Sequence, residues 1–155
     1  MNPFFTWLQA TRIATTVGGS RYLTAGLSAT HLIGFTVIMG SAVVSNLRLV
    51  GALFPGRPIP EVAGPAARAI ALGLLVSVTT GLLLFAPRAS TAADNDIFRV
   101  KMLLLASAAL FHFTVHRPVA MRAQAAPGTL RLTGALGLAL WFGVAVSGCA
   151  FILLE

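Results

Sequence analysis

Four apolar runs, each long enough to cross a bilayer, decide most of what this chain can fold into. A spanning helix needs about 20 residues. The runs cover roughly residues 22–47, 66–86, 97–117 and 130–154, and the linkers between them are rich in Pro, Gly, Asp and Asn. Composition agrees: of 155 residues, 57% are hydrophobic and only 10% charged, with mean hydropathy +0.87. A water-facing domain carries about 25% charged residues. The expected fold class is therefore an all-α membrane protein, a four-transmembrane-helix up-down bundle, because short linkers force neighbouring helices antiparallel.

Residues 1–20 form a separate unit ahead of the bundle of residues 21–155. They lack the basic stretch, apolar core and small-residue cleavage site of a secretory signal. Pro3 suits a first helical turn, Phe4, Trp7, Leu8 and Thr11 share one face, and Gly18-Gly19 breaks the run. The expectation is a short amphipathic helix lying in the membrane interface. The purely apolar part of the third run is short, and helix is expected to continue past Pro118 toward Gln124 with a kink.

The net charge of +7 comes mostly from arginines at the ends of the apolar runs. In a membrane protein this reads as interfacial anchoring, with no nucleic-acid partner. Five cations (Arg12, Arg21, Arg88, Arg99, Lys101) fall on the side of the termini and six (Arg48, Arg57, Arg68, Arg117, Arg122, Arg131) on the other. That small excess favours a bacterial inner-membrane topology with both termini outside. The second and fourth runs carry small-residue stripes, Ala69-Gly73-Ser77-Gly81 and Ala135-Ala139-Gly143-Ser147. Such stripes serve close helix packing in lipid, or leave room beside a flat cofactor.

Chemistry rests on three histidines: His31 in the first span, and His112 and His116 four residues apart, on one face of the third. No carboxylate lies inside a span. Glu61, Asp94 and Asp96 are in linkers and Glu155 stands last, which weighs against an ion-coupled transporter. Catalytic-triad and metalloprotease spacings are lacking. The single Cys149 excludes an intrachain disulfide and a cysteine-based metal site, and reads as a small apolar packer.

Imidazole in an apolar bundle is a setting for non-covalent haem b. Measured from the ends of their spans, His31 lies about 15 Å deep and His112 about 22 Å. Tilt can absorb that offset, so His31 and His112 are the expected axial ligands of one haem. Gly34, one turn beyond His31, would clear space for a porphyrin edge, and Phe35, Phe111 and Phe113 would pack around it. Arg48, Arg68, Arg117 and Arg131 would meet the propionates. His116 falls nearer the interface beside Arg117, where a propionate or water would be its partner. A copper site from His31, His112, His116 and Met39 is the alternative metal reading.

The stretches "TWLQATRIA", "HLIG" followed by "GSAVVSNLRLVG", and "TGLLLF", with Lys101 opening the third span and Phe111-His112 near its end, also carry a resemblance. The chain resembles a family of small, uncharacterised four-span bacterial inner-membrane proteins. That family is broadly similar to four-helix membrane cytochromes and the copper-resistance D type of protein. The resemblance singles out His31, Arg48 and His112 over His116. Asn46 stands where an acid is frequent in the family.

The expected function is a haem b electron-transfer protein or cytochrome-like subunit without stand-alone enzymatic activity. It would exchange electrons with a quinone or with a membrane or periplasmic redox protein, within a homo- or hetero-oligomer. The alternatives are an accessory subunit whose histidines only form hydrogen bonds, and a copper-handling protein.

Overall fold

The computed structural model describes residues 3–122 and 125–154. Gln124, toward which the third helix was expected to run, lies outside them, as do Glu155 and residues 1 and 2. Among the described residues the chain is helical with no strands. Four helical stretches are long and apolar enough to cross a membrane: Arg21–Val50, Ile59–Asp94, Asp96–Met121 and Pro127–Leu153. The protein is a multi-pass membrane protein of helix-bundle type.

The N-terminal segment is two helices rather than the expected one. α1 (Pro3–Gln9) and α2 (Arg12–Gly19) are separated at Thr11, whose hydroxyl accepts from the Ala14 amide as the N-cap of α2. A threonine that caps one helix ends the helix before it. α3 (Arg21–Val50) starts behind the N-cap Ser20 and stops at Gly51, whose φ of 92° is the left-handed conformation glycine tolerates. α4 (Ile59–Phe85) passes through a short 3₁₀ turn, Ala86–Arg88, into α5 (Ala89–Asp94). The Asn95 side chain accepts from the amides of Ile97 and Phe98 and so starts α6 (Asp96–Phe111).

Past α6 the third span changes character. His112–His116 form a π-helical turn, followed by α7 (Arg117–Met121). Pro118 has no N–H to give the carbonyl four residues back, and its ring crowds that carbonyl. The helix adapts by widening one turn, with the Arg117 amide donating to His112, five residues back. The kink expected at Pro118 is thus a widened turn on its N-terminal side, which holds both histidines of this span.

α8 (Pro127–Leu153) lies against both α3 and α6, and α3 packs along α4. The core between them is Ile38, Ala42, Ile70, Ala108, Trp141 and Val144. At the end holding the chain's first helices, aromatic rings link four elements: Phe5 meets Phe85, Phe85 stacks on Phe98 at 5.3 Å, and Phe98 meets Phe151. Gln9 donates to the Pro87 carbonyl and accepts from Ser90, fastening α1 to the same end. At the opposite end α7 closes onto α4.

Candidate functional site

The three histidines occupy two separate places. His31 projects from α3 onto α4. Its Nδ1 lies 2.9 Å from the Ser77 carbonyl and 3.2 Å from the Thr80 hydroxyl. A carbonyl can only accept, so Nδ1 carries the hydrogen and Nε2 keeps its lone pair. No hydrogen bond among the described residues engages that Nε2. The ring fits there because Gly81 is beside it: a methyl on Gly81 would stand 3.1 Å from His31 Cε1. His31 is half-buried.

His112 and His116 are brought together by the π-helical turn. Their rings stack with centroids 4.8 Å apart, and both residues are 1% exposed. Phe113 meets His112 edge-on at 5.1 Å and Trp141 does so at 6.5 Å. The Ser45 hydroxyl lies 3.4 Å from His116 Nε2. Among the described residues, both ring nitrogens of His112, Nδ1 of His116 and Oδ1 of Asn46 are buried without a hydrogen-bond partner. Asn46 does donate to the Ala42 carbonyl at 2.7 Å.

His116 therefore does not face water; it is as enclosed as His112. The contact between Ser45 and His116 also sets the register of the third span against α3. It puts His112, four residues earlier, level with residue 41, so His31 lies about ten residues, or roughly 15 Å, toward the other end. An iron held by two imidazoles needs both at one depth. The structure does not bring His31 and His112 together in that way.

Gly34 does not open a gap either. A methyl there would fall 2.6 Å from Ser77 Oγ, 3.0 Å from Val76 Cγ1 and 3.1 Å from the Gly73 carbonyl. The space is filled by α4, whose small-residue stripe presents Gly73 and Ser77 to α3. Arg48 donates to the Arg57 carbonyl and ties down its own loop. Arg117 follows the histidine that faces Ser45, at the far end of the bundle from His31. The cation level with His31 is Lys101, whose Nζ stands 5.7 Å from the Phe151 ring centroid. Among the described residues no three His, Cys, Asp or Glu side chains converge as a metal group would require, so the expected His31–His112–His116–Met39 copper set is not assembled.

Two features escaped sequence reasoning. Gly134 and Gly137 of α8 lie against Asn46, where a methyl on Gly134 would stand 2.7 Å from the Asn46 carbonyl oxygen. Their three-residue spacing falls outside the four-residue stripes. The polar pair Ser45-Asn46 is fully buried, a fact visible only once its opposing helices are known.

Fold and site together define a four-helix, multi-pass membrane protein carrying one oriented imidazole near one end and an enclosed imidazole pair toward the other. The chain matches the model of the DUF6644 family, a family of unknown function, over residues 4–153, and belongs to that family. No curated protein and no solved structure matches it.

Proposed function

We propose that the chain is a b-type haem electron-transfer protein, or the cytochrome-like subunit of a larger complex, in the bacterial inner membrane. One imidazole of the donor set suits the iron: His31. The observation that carries the reading is its Nδ1 donating to a backbone carbonyl while Nε2 stays unengaged. An orienting bond of that kind on the far nitrogen is the usual support of a metal-ligating histidine. With His112 roughly 15 Å away along the bundle, this reading gives the iron His31 without His112, unlike the axial pair expected from sequence. Haem, when bound, supplies a one-electron couple.

The chain's own residues would hold and tune it. Ser77 and Thr80 fix the ring's orientation, and Gly81 admits the ring against α4. Lys101 offers the cation for a propionate at that level, in place of Arg68 and Arg117. Quinone or a redox protein outside the membrane would be the exchange partner. The six arginines at the far end, facing inward, support termini on the outer side.

A reduced-minus-oxidised absorption spectrum of chain purified from haem-replete cells tests this. The expected result is a b-type band that His31→Ala abolishes and His112→Ala retains. Absence of the band in the unmodified chain, or its survival in His31→Ala, defeats the reading.

A further inference from the structure

A groove of about 570 Å³ lies between α4 and the third span, at the end of the bundle away from His31. Its wall on α4 includes Glu61, Gly64, Arg68 and Ala71, and its wall on the third span Phe113, Arg117 and Met121. Neither His112 nor His116 lines it, so it is separate from the imidazole sites.

The register across the groove orders its chemistry by depth. A methyl on Gly64 would stand 3.6 Å from Met121 Cε, so the Met121 side chain reaches across to α4 at that position. Arg68 is one turn deeper than Gly64 on α4 and Arg117 one turn deeper than Met121 on α7, and both line the groove, one on each wall. Ala71 and Phe113 follow toward the membrane interior. Glu61 lies outermost, two turns or about 10 Å from Arg68, in the first turn of α4, where a carboxylate is favoured. None of Glu61, Arg68 and Arg117 forms an ion pair or side-chain hydrogen bond with another described residue. All three are exposed.

From the outside inward the groove thus offers a carboxylate, then two guanidiniums, then an apolar wall. We propose that it is a binding site for an ethanolamine phospholipid. The ammonium would lie at Glu61, the phosphate between Arg68 and Arg117, and an acyl chain along Ala71 and Phe113. Guanidinium binds phosphate through paired N–H donors. An ammonium with N–H donors is bonded by a carboxylate, whereas the quaternary ammonium of choline lipids has none to give. A purely anionic headgroup would bring like charge to Glu61.

Native mass spectrometry of the purified full chain tests the site, with phosphatidylethanolamine, phosphatidylglycerol and phosphatidylcholine each added as probe. The ethanolamine lipid is expected to be retained over both others. Arg68→Gln and Arg117→Gln should each lower its retention about fivefold. Glu61→Gln should erase the preference over phosphatidylglycerol while leaving total lipid retention. Ala71→Phe, which fills the groove without touching a charge, should lower retention of the ethanolamine lipid. Equal retention of phosphatidylglycerol by the unmodified chain, or retention indifferent to the arginine variants, overturns the proposal. The elution profile and helical circular dichroism of each variant verify that the bundle is intact.

Discussion

Replacing Gly34 with alanine separates two accounts of the first span. Beside an open gap, an added methyl would meet nothing, and the helix would gain the propensity by which alanine exceeds glycine, about 1 kcal/mol. In the structure that methyl meets Ser77 Oγ at 2.6 Å, Val76 Cγ1 at 3.0 Å and the Gly73 carbonyl at 3.1 Å. The hydroxyl could rotate, but it donates to the His31 carbonyl at 3.3 Å and would lose that bond. The Gly73 oxygen is backbone, so relief there requires α4 to move outward by a few tenths of an ångström. Overpacking of this kind costs about 1–3 kcal/mol. At roughly 2–4 °C per kcal/mol for a chain of this size, the midpoint of thermal unfolding in detergent should fall by several degrees. Gly40, in the same helix with nothing within 4 Å of an added methyl, is the matched control. Gly40→Ala should hold or raise the midpoint. A Gly34→Ala midpoint equal to that of Gly40→Ala would refute the close α3–α4 contact and restore the open gap.

Three further substitutions probe the enclosed polar cluster. Gly137→Ala drives a methyl into the Asn46 side chain, 2.8 Å from its Cγ, and should destabilise by about 1–3 kcal/mol; Asn46→Ala in the same chain should recover much of that loss, a coupling readable from thermal midpoints in a double-mutant cycle. His112→Leu removes two buried ring nitrogens that have no partner among the described residues, and leaving such atoms unsatisfied costs about 1–3 kcal/mol. The leucine variant should therefore unfold at the same temperature as the unmodified chain or higher, and a clear drop would mean that the imidazole is bonded in the membrane.

What could be read from the chain before its structure divides along a physical line. The four spans were legible because the requirement is local: about 20 apolar residues must satisfy their own backbone in lipid. Their ends, at Gly51 and Asn95, follow capping rules that act over a few residues. The small stripe of α4 was legible as a packing surface, although its alternative role beside a flat ring could be settled only by placing α3 against it. The break at Thr11 was missed because a threonine on an amphipathic face reads equally as a continuing residue and as a cap.

Depth was the quantity that sequence could not supply, and the site depended on it. Counting from Arg21 and Ile97 makes His31 and His112 differ by about 7 Å, on the assumption that both spans start level. The contact between Ser45 and His116 shows that they do not. Residue 97 is level with residue 26, so α6 starts about five residues below the start of α3, and the offset between the two histidines doubles to roughly 15 Å. Long-range contacts fasten the chain just before α6. The linker before α6 is occupied by a 3₁₀ turn and α5, which Gln9 holds to α1, and beside them Phe5 of α1 meets Phe85 at the end of α4. These are contacts between residues some eighty positions apart, and no local pattern encodes them. The same stagger puts Lys101 level with His31, and Arg117 lies at the far end, where it lines a groove with Arg68. A single shift of register therefore parts the expected ligand pair, gives the oriented imidazole a different cation, and leaves the two arginines on the walls of a groove without a histidine.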